Sequence, residues 1–242
     1  MNIRHAVATS AIALAAIAVL PSAASASTNL LVNGSFETGN FSGWTLSGPA
    51  NDGFPATVIK YNDPVPYPNG AFGEAIPTAN AATLSPDPAG DFAAYFVSDA
   101  SNQTLSQSTF LNVGTYNIGF SAYVPFNGQA NPVNAFFAAT VGGNSIVSFL
   151  VGSETAGSWV NYTGVADITV AGNYDTSFEF QTPNTDPGHN QGAAKDVVID
   201  QVYLTATSAV PEPAMWAMFL AGFGGIGFMM RNARRKGAVA RA

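Results

Sequence analysis

The sequence predicts an all-β protein, a sandwich of two packed antiparallel sheets. Its 242 residues are 47% hydrophobic and only 10% charged, with 24 Gly and 15 Pro, a composition that suits short strands and turns better than a helical bundle. Strand-like segments recur at short intervals, without an internal repeat, a heptad or a long helical period. The two chain ends have a different composition. We therefore predict a signal peptide at 1–26, a β-sandwich domain at 27–209 and a separate C-terminal segment at 210–236.

The clearest predicted strand covers residues 115–124, after a turn at 112–114. Apolar side chains alternate along it and define one face: Tyr116, Ile118, Phe120, Ala122 and Val124. The other predicted strands are 30–33, 56–61, 93–98, 104–110, 135–141, 145–151, 159–166, 177–181 and 197–206. Long segments rich in Pro, Gly, Asn and Asp lie at 47–91 and 182–196. Binding residues are expected in such loops of a sandwich.

Composition excludes several kinds of chemistry. The chain has no Cys, so it has no disulfide, thiolate metal ligand or cysteine nucleophile, and His189 is the only imidazole beyond the leader. Between residues 27 and 209 there are two bases, Lys60 and Lys195, against fourteen acidic residues, a formal charge of −12. Such a domain repels phosphate backbones, so nucleic acid is excluded as a partner.

The N-terminus predicts export. Arg4 and His5 precede an apolar run at 11–20 that is short for a membrane span. The small residues Ala24 and Ala26 then form a small-x-small cleavage sequence, and we expect cleavage after Ala26.

The C-terminus predicts a single transmembrane helix. An uncharged run at 214–230 would rise roughly 25 Å as a helix, enough for a thin bilayer. Positive charge follows it and would stay cytoplasmic, which places residues before Pro211 outside the inner membrane. The basic residues are Arg231, Arg234, Arg235 and Lys236. A plain single-span anchor is the alternative to a sorting function.

This tail resembles the PEP-CTERM sorting signal of Gram-negative bacteria that make extracellular polysaccharide, in its PEPxxWA form. The residues that carry the resemblance are Pro211, Glu212, Pro213, Trp216 and Ala217, followed by the apolar run and the basic cluster. The two prolines keep the peptide extended and accessible to an enzyme at the membrane surface. The resemblance implies processing by an exosortase and delivery to the cell surface or the exopolysaccharide matrix.

The body of the chain resembles the galactose-binding-like jelly rolls, which include many carbohydrate-binding modules. The order of several short segments carries this resemblance: 29–37, Gly43-Trp44, 105–107, 114–116 and 198–202. It implies a jelly-roll arrangement of the two sheets.

Asp200 is unusual because strand parity places it with Val198 and Val202 on the apolar face, where a bare carboxylate is costly. Three alternatives would resolve the conflict. A bulge could turn the side chain to the other face, the strand assignment could be wrong, or a cation or hydrogen-bond donor could compensate the carboxylate. In the jelly rolls that the chain resembles, acidic residues at matching positions help hold a structural calcium ion. The resemblance thus makes Glu37 and Asp200 candidate calcium ligands, and calcium prefers oxygen.

The first long loop contains candidate sugar-binding residues, because exposed rings stack on pyranose faces while polar groups bind the hydroxyls. The candidates are Tyr67, Phe72 and Phe126, with Phe54 and Tyr61, and with the polar residues Asn62, Asp63, Asn69, Glu74, Asn127 and Gln129. The alternative is that these rings only anchor a long loop. Trp44 and Trp159 are expected in the core.

No catalytic motif is present. The sequence lacks a Ser-His-Asp arrangement, a Gly-x-Ser-x-Gly segment and a phosphate loop. His189 is either a lone metal ligand or a solvent-facing loop residue. We therefore predict a non-enzymatic surface or matrix protein. A carbohydrate-binding module with a definite glycan ligand and a polysaccharide hydrolase using two loop carboxylates remain the alternatives.

Overall fold

The computed structural model describes residues 27–183, 193–207 and 222–223. Ten strands make up the described fold: β1 (Thr45–Ser47), β2 (Thr57–Lys60), β3 (Phe92–Phe96), β4 (Asn102–Leu111), β5 (Gly114–Tyr123), β6 (Phe136–Val141), β7 (Asn144–Leu150), β8 (Trp159–Ile168), β9 (Gly172–Gln181) and β10 (Val197–Ala206). A short helix α1 (Phe126–Ala130) follows β5, and a 3₁₀ turn (Val151–Ser153) follows β7.

The strands form two five-stranded antiparallel sheets. The first sheet has the order β1-β4-β9-β6-β7, and the second has the order β2-β3-β10-β5-β8. The predicted all-β, two-sheet antiparallel jelly-roll sandwich is confirmed. The predicted signal peptide with Ala24 and Ala26, His189 and the sorting motif with its basic cluster lie outside the described residues, as does all but 222–223 of the predicted membrane helix. Within the described ranges, no helix is long and apolar enough to cross a bilayer.

The main core lies between the sheets and is built largely of phenylalanine. Phe120 of β5 meets the edge of Phe178 of β9 at 5.2 Å between ring centroids, and Phe96 meets Phe137 at 5.3 Å. Trp44 is also buried in this core. All five apolar residues predicted to share a face of β5 belong to it, which confirms the period-2 interpretation of that strand.

A second apolar cluster covers the opposite face of the second sheet. Ile59, Tyr95 and Val198 point to this side and pack beneath Ile76 of the long segment between β2 and β3. Trp159 joins the cluster, and its indole N–H donates to the carbonyl of Pro77 at 2.8 Å. The long segment therefore buries a sheet face that an open sandwich would leave to water.

One predicted strand is wrong, and one strand was not predicted. The 30–33 segment forms turns, because Asn33 has a left-handed φ of 55° and the N–H of Val32 donates to the side chain of Gln107 instead of a strand partner. The segment still follows β10, since Leu30 donates to the carbonyl of Leu204 at 2.8 Å. The unpredicted strand, β1, has only three residues and pairs with β4 at the sheet edge.

A β-bulge resolves the parity conflict in β10. The register of β10 with β5 shifts between Asp200 and Tyr203, and Gln201 has a left-handed φ of 51°. Val197 and Ile199 face the main core before the shift, whereas Val202 and Leu204 face it afterwards. Asp200 therefore points to the other face of the sheet, with Val198.

Candidate functional site

Three aromatic side chains from the first long loop form a cluster at the surface. The rings of Tyr67 and Phe72 are stacked, with centroids 5.6 Å apart and an interplanar angle of 14°. Phe54 meets Tyr67 at 5.2 Å and Phe72 at 5.8 Å, in both cases edge to face. Phe54 is 37% and Phe72 47% exposed, so the rings hold one another in place while still presenting apolar area to solvent.

A cavity of about 300 Å³ adjoins this cluster, and we refer to it as the aromatic cavity. Its lining residues are Phe54, Phe72, Val97, Asp99, Asn127, Asn131, Ala193 and Asp196. They come from four separate parts of the chain: the first long loop, the end of β3, helix α1 with the residue after it, and the approach to β10. An apolar wall with a few polar groups is typical of small-ligand sites.

Glu74 fixes helix α1 at the edge of this region. Its two carboxylate oxygens accept hydrogen bonds from the backbone N–H groups of Phe126 at 2.9 Å and Asn127 at 2.8 Å. The N–H groups at the start of a helix have no partner within the helix, so a carboxylate stabilises that end. The side-chain amide of Asn131 donates to the carbonyl of Ala194 at 2.6 Å. Helix α1 is thereby attached to both the first loop and the segment before β10.

Two aspartates contribute carboxylates to the cavity. Asp99 is half-buried, and its Oδ1 accepts from the N–H of Ala194 at 2.7 Å. Asp196 is 3% exposed, and its Oδ2 accepts from the hydroxyl of Tyr95 at 2.5 Å. Burial raises the pKa of Asp196 to about 8; the Tyr95 hydrogen bond opposes this rise, and the charges of Asp99, Glu74 and Asp52 add to it.

Gly128 explains how α1 lies so close to Asp196. A Cβ at this position would stand 2.7 Å from the Cβ of Asp196 and 3.0 Å from its Cγ. Only glycine permits this approach, so α1 can cover the buried carboxylate and still present Asn127 to the cavity.

The structure brings some of the predicted sugar-binding residues together and separates others. Phe72 lines the aromatic cavity, and Tyr67 supports it from behind. Phe126 is 63% exposed, but its ring lies over Gly157 and is not part of the cavity wall. Tyr61 is buried against Trp159 at 6.0 Å. The side chain of Gln129 donates to backbone carbonyls, and Asn62, Asp63 and Asn69 are not among the lining residues.

Sequence reasoning missed Asp99, Asn131 and Asp196. They lie outside the first long loop, and only the fold brings them next to its rings. One signal was available for Asp196, because it precedes Asp200 by four residues and shares its strand parity. Both aspartates accept a hydrogen bond from a buried tyrosine on the same face of the sheet.

Glu37 and Asp200, the candidate calcium ligands, lie in a second region. Both oxygens of Glu37 accept from the N–H of Asp91, at 3.0 and 2.9 Å, and one also accepts from Phe92 at 3.0 Å. Gly90 has a left-handed φ of 65°, and a Cβ there would overlap the Glu37 carboxylate. A cavity of about 360 Å³ adjoins Glu37 and is also lined by Asp87.

Asp200 has an unsatisfied oxygen. Its Oδ2 accepts from the hydroxyl of Tyr61 at 2.6 Å, whereas Oδ1 is buried and has no hydrogen-bond partner among the described residues. Burial raises the pKa of Asp200 to about 8; the hydrogen bond from Tyr61 and the nearby backbone N–H of Gln201 oppose the rise, and the charge of Glu37 adds to it. An orphaned carboxylate oxygen near a like charge fits the donor chemistry of a divalent cation. In the described part of the chain, however, no three acidic or histidine side chains are grouped as a metal site.

The sequence matches the family model described as the PEP-CTERM protein-sorting motif over residues 209–236. This match confirms the sorting signal predicted from the Pro-Glu-Pro sequence and its apolar and basic continuation. The motif indicates an exported surface protein that an exosortase processes. No curated protein sequence matches the chain.

Several solved structures with jelly-roll folds are similar to the chain. TmCBM61, determined in complex with β-1,4-galactotriose, is 27% identical over 74% of this chain and 99% of its own, with a TM-score of 0.48. The CBM22-1 xylan-binding domain of Paenibacillus barcinonensis Xyn10C is 16% identical over 78% of this chain and 100% of its own, with a TM-score of 0.42. A family 16 carbohydrate-binding module is 14% identical over 73% and 99%, with a TM-score of 0.39. No ligand for this chain follows from these likenesses.

Proposed function

We propose that the protein is a non-enzymatic glycan-binding protein of the cell surface or exopolysaccharide matrix, exported and then processed through its tail. The observation that supports glycan binding is the aromatic cavity. Its exposed rings, Phe54 and Phe72, offer flat apolar surfaces, and the side chains of Asn127 and Asn131 add polar groups beside them. Rings that stack on the C–H face of a pyranose and amides that bind its hydroxyls are the elements of sugar recognition.

Support from Tyr67 makes Phe72 a preformed platform. The stacked pair and the edge-on contact of Phe54 restrict the rotation of each ring. A ligand that stacks on Phe72 therefore loses less affinity to the ordering of side chains than it would on a free ring.

A glycan array tests this function, with the purified full-length protein in detergent as the probe. We expect wild type to bind a subset of polysaccharides and Phe72→Ala to lose at least about tenfold in affinity, or about 1.4 kcal/mol. Phe110→Ala is the matched control, because Phe110 is 61% exposed and lies on β4, away from the cavity. Equal losses in the two variants, or no glycan bound by wild type, would refute the proposal.

Hydrolysis is the competing function, and the same samples test it. Asp99 and Asp196 are two carboxylates in one cavity, the residue types that glycosidases use. The free oxygen of Asp196 is buried, however, and α1 covers this side chain, so it is poorly placed to reach a glycosidic oxygen. We expect no new reducing ends from any bound polysaccharide, and their release by wild type but not by Asp196→Asn would establish an enzyme instead.

For the second region we propose a structural calcium ion held by the carboxylates of Glu37 and Asp200. The unsatisfied Oδ1 of Asp200 and the neighbouring charge of Glu37 support this proposal. The ion would supply positive charge between the turn segment that precedes β1 and the bulge of β10. Glu37 already connects that turn segment to β3 through Asp91 and Phe92.

A further inference from the structure

The aromatic cavity contains more carboxyl groups than the recognition of a neutral sugar requires. Asp99 and Asp196 both line it, and one oxygen of Asp196, Oδ1, is buried without a hydrogen-bond partner among the described residues. A buried carboxyl oxygen without a hydrogen-bond donor is destabilising. The carboxyl group of Asp196 nevertheless lies beneath an opening large enough for a small ligand.

No basic side chain of residues 27–183 or 193–207 compensates this charge. Lys195 is next to Asp196 in sequence, but its ammonium donates to the backbone carbonyl of Gln129 at 2.5 Å. The only other base in those ranges, Lys60, is exposed at the end of β2 that pairs with Phe92, whereas the cavity lies beyond the opposite end of β3. A cationic ligand in this cavity therefore meets two carboxyl groups and no competing basic side chain from the described residues.

The carboxylates also repel one another. Burial raises the pKa of Asp99, the hydrogen bond from Ala194 opposes that rise, and the charge of Asp52 adds to it. The groups that act on Asp196 besides Tyr95 are likewise acidic, namely Asp99, Glu74 and Asp52. A bound cation relieves this repulsion, and it favours the ionised form of Asp196, so binding is coupled to the release of a proton.

The walls of the cavity select an organic cation over a metal ion. Phe54 and Phe72 present aromatic surface to the opening, and aromatic faces attract an ammonium group as well as the C–H bonds of a sugar. A volume of about 300 Å³ is at the size of a small-molecule site and far exceeds that of one ion. A metal ion would leave the apolar wall without a function.

We propose that the aromatic cavity binds an amino sugar through its primary ammonium group, so that the glycan recognised is a polysaccharide with unacetylated amines. This inference rests on the proposed glycan-binding function and specifies its ligand class. The half-buried carboxylate of Asp99 accepts directly from the ammonium, and Asp196, which loses its proton on binding, supplies a second negative charge beneath it. Phe72 stacks on the sugar ring.

Calorimetry on the full-length protein tests this proposal with short defined probes, at a pH below the pKa of the sugar amine. The probes are a glucosamine trisaccharide, its fully N-acetylated counterpart, a neutral hexose trisaccharide and trilysine. We expect the amino trisaccharide to bind at least about tenfold tighter than the acetylated one, which corresponds to about 1.4 kcal/mol. High salt should weaken the binding of the amino trisaccharide and leave the binding of the acetylated one unchanged. Trilysine provides ammonium groups without a pyranose and should bind poorly.

The variants separate direct contact from background charge. Asp99→Asn should remove the preference for the amine, with at least about a tenfold loss for the amino trisaccharide and little change for the acetylated one. Asp196→Asn should abolish the proton release on binding, measured in two buffers of different ionisation enthalpy. Asp175→Asn, an exposed carboxylate on β9, is the control and should bind as wild type does. Thermal melts verify that each variant is folded.

Three outcomes would overturn the inference: equal affinity for amino and acetylated sugars, trilysine binding as tight as that of the amino sugar, or an Asp99→Asn variant that keeps the wild-type preference for the amine. If an uncharged glycan binds in a Phe72-dependent way without any preference for amines, the ammonium site fails and glycan binding stands. If no glycan on the wider array binds, the proposed function itself fails.

Discussion

Asp196→Asn should change the pH dependence of stability in a calculable way. Burial raises the pKa of Asp196 from 3.8 to about 8 in the folded protein. Because the folded pKa is the higher one, folding is favoured by proton binding. The corresponding stability is fully present below the unfolded pKa and is lost as pH rises from about 4 to about 8. The slope is about 1.4 kcal/mol per pH unit inside that window.

Asparagine is nearly isosteric with aspartate, can accept the Tyr95 hydrogen bond and does not titrate. Any constant destabilisation from the substitution cancels when the slopes of the two proteins are compared. Between pH 5 and pH 7 the difference in unfolding free energy should move by roughly 3 kcal/mol in favour of the variant. For a domain of this size that corresponds to roughly 6–12 °C in Tm.

The assay is urea denaturation followed by tryptophan fluorescence at half-unit intervals from pH 5 to pH 8, with chelator present throughout. Asp175→Asn is the control, because the carboxylate of Asp175 is exposed on β9 and its removal should leave the profile parallel to that of wild type. Parallel profiles for Asp196→Asn and wild type would refute the assignment of a buried, proton-binding carboxyl at this position.

Four further outcomes follow from the structure. Chelation should lower the Tm of the calcium-loaded protein by several degrees, because a ligand that prefers the folded state stabilises it; an unchanged melt would reject the calcium site. Gly128→Ala should destabilise by about 1–3 kcal/mol in urea denaturation, since the added methyl meets Asp196 at 2.7 Å, and a neutral result would mean that α1 can move away freely. Phe178→Ala should cost about 3–5 kcal/mol in the same assay, because Phe178 is fully buried between the sheets, and a loss below about 1 kcal/mol would contradict its core role. Replacing Pro211 and Pro213 by Ala should leave full-length precursor in the membrane fraction, seen by intact mass, and normal maturation would count against exosortase recognition of the motif.

Local periodicity was sufficient to predict most strands, because a strand that is buried on one face has alternating polarity. Periodicity does not predict the conformation of a segment whose backbone groups bond to side chains instead of to a neighbouring strand. The 30–33 segment alternates only weakly, and its position depends on the carboxamides of Asn29 and Gln107, which bond to backbone groups of β10 and of the segment itself. Such contacts join residues distant in sequence, and a local pattern contains no information about them.

The aromatic part of the candidate site was predictable, whereas its acidic part was not. Phe54, Tyr67 and Phe72 occur within one loop and have a residue type that suggests stacking. Asp99 and Asp196 are 97 positions apart and meet because β3 and β10 are neighbours in the second sheet. Sheet order is not encoded in any single segment, so only the fold could reveal a carboxylate pair beside the rings.

The second sheet explains why the cavity lies where it does. Residues of the long segment between β2 and β3 pack on its outer face, and both tyrosine–aspartate pairs, Tyr61 with Asp200 and Tyr95 with Asp196, are buried on this side. Apolar residues of similar size would make such positions more stable, because a buried carboxyl is costly even when it is hydrogen-bonded. Stability alone therefore does not account for Asp196. Its position beneath the opening beside Phe72 is the arrangement that a site for a charged ligand requires, and the binding of an ammonium group would offset the energetic cost of the carboxyl in the free protein.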